Sequence, residues 1–146
     1  MSNRLRQAAV AVVVLFAGAQ LFNPDRTNPP TDPSRTLAAH AATQPALAAV
    51  INRSCGDCHS NATTWPWYAK IAPLSWAMAY GVNAGRNAVN FSEWAAYSAE
   101  QQRSLLAASC SDASHGKMPD GLWTFLHPDT RLAAGDIETI CAAARQ

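Results

Sequence analysis

Residues 54–60 of the chain read SCGDCHS. Two cysteines, Cys55 and Cys58, are separated by two residues, and His59 follows the second one directly. Two thiols and an imidazole at this spacing form a compact donor set, which proteins use to bind a metal, to run dithiol chemistry or to attach a cofactor covalently. The segments on either side of the motif decide between these chemistries.

The flanking segments have the apolar spacing of helices, and none of them alternates with the period of a strand. Leu47, Val50 and Ile51 share one face of a predicted helix that runs from Pro45 to Cys55. The other predicted helices cover Leu74–Val89 with Ser75 as cap, Glu93–Ala108 with Ser92 as cap, and a last segment from about Ala134, and the long loops are Asn61–Pro73 and Asp112–Arg131. The predicted fold class is all-α.

The helical context favours one interpretation of the cysteine–histidine motif, the attachment of a haem. A zinc site needs four ligands, usually with a second closely spaced pair, and Cys110 and Cys141 lie far apart in sequence. A thioredoxin-like dithiol would follow a strand, and a further alternative is a structural disulfide within the motif, with no cofactor. Two thiols on a helical turn can instead bond to the two vinyl groups of a haem while the imidazole reaches the iron. The motif therefore predicts one covalent haem c, held by Cys55 and Cys58, with His59 as an iron ligand.

The composition argues against nucleic-acid binding and supports a domain that holds a large apolar cofactor. The formal net charge is +1, so no strong field points to nucleic acid. Apolar residues make up 49% of the chain, but many of them are alanine. A domain this small has little core of its own, and a bulky apolar cofactor would supply core that the side chains lack.

The N-terminal residues 1–22 have the pattern of a signal peptide or a signal-anchor. Arg4 and Arg6 precede the apolar run Ala8–Phe22, which is shorter than the roughly 20 residues of a spanning helix. The small residues Ala17-Gly18-Ala19 would suit a signal peptidase. We expect the domain to lie in the periplasm, tethered to the inner membrane, or released there if the signal is cleaved.

A proline-rich segment separates this run from the folded domain. Residues 23–35 contain four prolines and no apolar periodicity, which predicts an extended linker. The haem-binding domain is then expected over residues 36–146.

Several residues after the motif could contact a haem. The rings of Trp65, Trp67 and Trp76 could pack against a porphyrin, or they could form an ordinary core. Arg86 could pair with a haem propionate, or it could be a solvated surface arginine. Trp65 and Arg86 are therefore candidate cofactor-binding residues.

The segments CGDCHSNATTWPWY, IAPLSW, VNAGR, NFSEW, KMP and LHPDTRL resemble, in order and spacing, the small exported haem-binding domain family of bacteria. The resemblance runs from about Asn28 to the last helix. It implies a membrane-tethered, monohaem protein with a small cytochrome c-like helical domain. Two positions depart from the family pattern, because the family commonly has histidine at Gly81 and a serine cap at Ala133.

The second iron ligand is predicted to be Met118, in the loop HGKMP. This loop also resembles the distal ligand loop of class I cytochromes c. A thioether favours ferrous iron and raises the reduction potential, and Pro119 would stiffen the loop. The alternatives are Met118 as core filler, with Met78, His115 or His127 as the ligand, or an open site.

The two remaining cysteines, Cys110 and Cys141, are expected to pair, because leftover thiols in an exported protein usually form disulfides. Pairing requires the third and last predicted helices to pack together. The alternative is two buried, unpaired thiols.

Single-electron transfer is the function that these features favour, in a carrier and not an enzyme. The expected partners are redox proteins, which the sequence does not specify. An alternative is a haem-based sensor or a peroxidase-like protein with an open or labile sixth site. A third hypothesis is a structural interaction module without haem.

Overall fold

The computed structural model describes residues 2–41 and 44–146, and in these ranges it contains helices and no strand. The all-α prediction is therefore confirmed. The α-helices are α1 (Asn3–Ala19), α2 (Leu37–His40), α3 (Pro45–Ser54), α4 (Gly56–His59), α5 (Leu74–Ala88), α6 (Ala99–Ser114), α7 (Gly121–Leu126) and α8 (Ala134–Ala144). Four short 3₁₀ helices cover Pro33–Arg35, Trp67–Lys70, Phe91–Ala96 and Pro128–Thr130.

The core forms where α3, α6 and α8 meet the 3₁₀ helix Phe91–Ala96. Ile51 of α3 and Ile140 of α8 are each only 1% exposed, and Phe91 and Trp94 pack beside them. Helices α6 and α8 lie against each other along much of their length. Three of the eleven buried residues of this cluster, Ala41, Ala113 and Ala143, are alanine.

A covalent link joins α6 to α8 as well. Cys110 and Cys141 lie at disulfide-bonding distance, with their Cα atoms 4.8 Å apart. The helix packing that the expected pairing required is present in the structure.

The cysteine–histidine motif follows directly from α3. Pro45 occupies the first turn of this helix, and Leu47, Val50 and Ile51 are buried on one face, as the spacing predicted. Helix α3 ends at Ser54, and after Cys55 the chain turns into the single helical turn of α4. Helix α4 packs against α5, so the motif lies between two longer helices.

The predicted start of the third helix is wrong. Helix α6 begins at Ala99, where Ser98 and Gln101 form a capping box, and not at Glu93 after Ser92. Ser92 is buried, and its hydroxyl accepts a hydrogen bond from the backbone N–H of Asn61 at 2.9 Å. Because this distant residue occupies the Ser92 hydroxyl, the hydroxyl does not cap an α-helix. A 3₁₀ helix forms there instead.

Two smaller predictions also need correction. Ser75 does not cap α5, because the N-cap position is Pro73; its hydroxyl is buried without a hydrogen-bond partner among the described residues. The predicted loop Asp112–Arg131 contains the end of α6 and all of α7, whose N-cap is Asp120.

Helix α1 projects from the domain with every side chain solvent-accessible. Val12, Val13 and Leu15 are 65% to 73% exposed. Among the described residues, no helix has both the length and the apolar character required to cross a membrane. The proline-rich segment lies against the domain, where the Asn28 side chain donates a hydrogen bond to the Thr63 carbonyl at 2.8 Å.

The start of α8 offers a test of local stability. Ala133 has the extended backbone of an N-cap residue but no hydroxyl, while the Asp136 carboxylate accepts a hydrogen bond from the Ala133 N–H. Ala133→Ser would complete the capping box, so we expect the free energy of unfolding to rise by about 1 kcal/mol in urea titrations. The matched change Ala134→Ser lies inside the helix and should bring no gain. Equal effects of the two substitutions would contradict the capping explanation.

Candidate functional site

A cavity of about 150 Å³ lies beside the cysteine–histidine motif. Cys55 and His59 of the motif line it, and so does Met118 from the distant loop. The remaining wall is mostly apolar and includes Ala88, Val89, Phe91, Leu105, Leu132 and Ile140. The fold thus brings a thiol, an imidazole and a thioether to one apolar space.

The backbone orients the His59 ring. Its Nδ1 lies 3.2 Å from the Val89 carbonyl oxygen, which can only accept a hydrogen bond, so Nδ1 carries the proton. Burial lowers the pKa of His59 and keeps the ring neutral. Nε2 then has a free lone pair. The ring of Phe91 packs near the imidazole, with centroids 6.1 Å apart, and limits its rotation.

Both thiols of the motif are unpaired and partly buried. Burial raises the pKa of Cys55 to about 12. Burial, with the nearby carboxylates of Asp57 and Asp120, raises the pKa of Cys58 to about 11. Both groups are therefore neutral thiols at neutral pH, with no disulfide between them.

Helix α5 approaches the motif through a glycine. A Cβ atom on Gly85 would lie 2.5 Å from the carbonyl oxygen of Cys58 and 2.9 Å from the carbonyl carbon of the same residue. Only a residue without a side chain allows this contact. Gly85 therefore fixes the distance between α5 and the turn that carries Cys58 and His59.

The end of α6 places Met118. Gly116 has a φ of +65°, and the N–H groups of Gly116 and Lys117 bond to the carbonyls of Ala113 and Asp112, which is a Schellman motif. The Met118 N–H also bonds to the Asp112 carbonyl, at 3.3 Å. Met118 remains 46% exposed while it lines the cavity.

Trp65 and Arg86 lie in a polar cluster outside the cavity wall. Arg86 donates to the Ser60 carbonyl, to the Thr63 hydroxyl and to the Asn28 side-chain oxygen, at 2.7 to 2.9 Å. The Trp65 indole donates to the same Asn28 oxygen at 3.2 Å. The positive charge of Arg86 acts on the Cys58 thiol, so this cluster borders the motif on the Cys58 side.

The other ligand candidates do not line the cavity. His127 stacks on Trp123, with ring centroids 3.9 Å apart, and its Nε2 lies 2.7 Å from the Tyr68 hydroxyl. His115 is exposed, and its Nδ1 lies 2.7 Å from the Ser111 carbonyl oxygen. Met78 is on α5, away from the cavity wall.

The side chains at this cavity are of the kinds that a covalently held haem requires. The motif offers two unpaired thiols, an imidazole with one nitrogen fixed by a carbonyl, and an adjacent apolar space that also contains a thioether. A carbonyl partner on the second ring nitrogen is the usual arrangement for a metal-binding histidine, because it sets the tautomer and the ring orientation. Two thiols and an imidazole at this spacing could hold a haem covalently.

Two residues of the site have roles that sequence reasoning missed. A glycine inside a helical pattern is a signal of close packing, and Gly85 carried that signal. Asn28 lies in a proline-rich segment without periodicity, so no local pattern indicated that its amide binds Arg86 and Trp65.

One of the comparisons with known proteins identifies a family. The sequence model of a family described as a haem-binding domain matches residues 14–146, which include the motif, the Met118 loop and helices α2 to α8. No curated protein and no solved structure matches the chain. The family match confirms the expected resemblance.

Proposed function

This chain belongs to the haem-binding domain family, and we propose that it carries one covalent haem c and transfers single electrons in the periplasm. The observation that supports this best is the His59 imidazole, held by the Val89 carbonyl with Nε2 free, on the same cavity as Cys55 and Met118. When bound, the haem supplies the one-electron chemistry through its ferrous and ferric states.

Each residue of the site has a proposed role. Cys55 and Cys58 would hold the haem through thioether bonds, and His59 would bind the iron through Nε2. The Val89 carbonyl is bonded to Nδ1, so it fixes the orientation of the ring and of Nε2. It also makes the imidazole a stronger donor. Met118 would be the second iron ligand, positioned by the Schellman motif at the end of α6.

The proposed location rests on the N-terminus. Arg4 and Arg6 lie in the first turns of α1, ahead of its apolar residues, and no side chain of this helix belongs to the described part of the domain core. This order is typical of an export signal or a membrane anchor. We propose attachment to the inner membrane, or release into the periplasm if the signal is cleaved. Attachment of a c-type haem in that compartment also suits the pairing of Cys110 with Cys141.

A second candidate function is a sensor or a peroxidase-like protein with a labile sixth site. The family's usual histidine is replaced by Gly81, so one side chain that the family has is absent from this domain. Met118 is also nearly half exposed, which would ease its displacement. Whether Met118 binds the iron therefore distinguishes an electron carrier from a sensor.

An optical spectrum of the full chain, matured in the periplasm, tests the proposal. The ferric protein should show the weak red charge-transfer band of sulfur–iron ligation. Met118→Ala should lose the band, and the matched variant Met78→Ala should keep it, because Met78 does not line the cavity.

Other outcomes distinguish the alternatives. A colourless protein would overturn haem attachment. A high-spin parent without the band, whose ferrous form binds carbon monoxide rapidly, would overturn Met118 ligation and favour the sensor or the peroxidase-like protein.

A further inference from the structure

A group of apolar side chains is exposed on one segment of the domain. We call this group the aromatic patch; its members are Trp67, Ile71, Leu74, Trp76 and Tyr80. Trp67 is 74% exposed and Tyr80 is 77% exposed. Trp76 and Tyr80 are one helical turn apart on α5, on the side opposite its buried residues. Exposed apolar side chains that are grouped in one patch mark an interaction surface more often than isolated ones do.

Hydrogen bonds connect the region of the patch to the residues that directly follow α1. The Gln20 side chain donates to the Ala72 carbonyl at 3.3 Å and accepts from the Ala72 N–H at 3.0 Å. The Trp76 indole donates to the Phe22 carbonyl at 2.6 Å. These bonds hold the end of the apolar N-terminal region against the patch.

The residues at this junction extend the apolar surface. Leu21 is 82% exposed and Phe22 is 75% exposed, and the Phe22 carbonyl is bonded to Trp76 of the patch. Helix α1 continues this surface with aliphatic side chains on all its faces. Hydrogen bonds therefore link the exposed apolar residues of the patch to the junction that continues into α1.

We propose that the aromatic patch lies in the interfacial layer of a lipid bilayer, beside the point where the chain emerges from it. The inference rests on the proposed membrane attachment. Tryptophan and tyrosine favour this layer because one end of the ring system is apolar and the other can hydrogen-bond to water or headgroups. The connection to α1 favours a lipid surface over a protein partner, since bilayer entry of α1 brings the patch to the membrane.

This position also orients the haem-binding turn. Trp76 is in the first turn of α5, and Gly85, which touches Cys58, is nine residues further along the same helix. At 1.5 Å per residue, α5 separates the two by about 14 Å along its axis. The domain would thus be held at a fixed orientation to the bilayer, and not tumble on a free tether.

Carbene labelling tests the proposal. The full chain would be reconstituted into vesicles of phosphatidylethanolamine and phosphatidylglycerol that contain a lipid with a diazirine in its acyl chain near the headgroup. After irradiation, mass spectrometry would locate the adducts. We expect adducts on α1 and on the peptide that spans residues 67–80, and none on the exposed face of α6.

Two double variants provide the comparison. Trp67→Ser with Tyr80→Ser should reduce the adducts at 67–80 and keep those on α1. Leu122→Ser with Phe125→Ser removes two equally exposed apolar residues from α7 and should leave the labelling pattern unchanged. All these side chains are exposed, so circular dichroism should show intact helices in both variants.

The contrary outcomes are distinct. Labelling of α1 without the patch would overturn the proposal and assign the patch to a protein partner, with membrane attachment intact. Labelling of α7 instead of the patch would also overturn it. Absence of labelling from α1 and the domain together would contradict membrane attachment itself, whereas haem binding would still be judged by its own spectrum.

Discussion

Replacing Cys110 and Cys141 together by alanine is expected to lower the free energy of unfolding by about 3–4 kcal/mol. The bond spans 31 positions of the chain, so its loss frees a long loop in the unfolded state. It also removes the covalent tie between α6 and α8, the two helices with the most extensive packing in the core. Urea unfolding, followed by circular dichroism, would measure the change.

Reduction of the parent protein provides the control. The parent in excess dithiol should unfold at the same urea concentration as the double variant, because both lack the same bond. The variant itself should not respond to dithiol. An unchanged unfolding midpoint in the double variant would mean that side-chain packing alone holds α6 to α8.

Gly85→Ala is the single substitution with the largest expected effect. The new Cβ would meet the backbone of Cys58 at 2.5 Å, and backbone atoms cannot move aside as the end of a long side chain can. Helix α5 must shift away from the motif, and we expect a loss of about 3 kcal/mol in the free energy of unfolding, at the upper end of overpacking costs.

Gly81→Ala is the matched control one turn earlier on α5. A Cβ at Gly81 would have no atom within 4 Å. Alanine is the better helix former by about 1 kcal/mol, so this variant should be more stable than the parent. The two glycine substitutions should therefore have opposite signs in the same urea titration. Two stabilised proteins would show that α5 does not depend on its close approach to Cys58.

The predictions that succeeded depended on local signals. The apolar spacing of Leu47, Val50 and Ile51 gave the buried face of α3, and the pattern after Ala133 gave α8. The family resemblance came from the order of short segments, and the family match confirmed it. Patterns of this kind lie within a few helical turns of the chain, so they are readable without the fold.

The predictions that failed required contacts between distant residues. The true helix start has a local signal, the capping-box pair Ser98 and Gln101, but the contact that occupies the Ser92 hydroxyl comes from the distant Asn61 N–H. Helix α7 is six residues long, too short to display a helical period. The need for Gly85 arises from the Cys58 backbone, which is distant in sequence.

The hydrogen bonds of Asn28 determine how short a recombinant form of this domain can be. A fragment that starts at Thr36 would leave the Arg86 guanidinium and the Trp65 indole without the amide oxygen they share. A fragment that starts at Gln20 keeps this oxygen, and it also keeps the Gln20 amide that is bonded to Ala72. For crystallisation, the longer fragment is the better choice, because the proline-rich residues in it would be ordered by the domain and not add a loose tail.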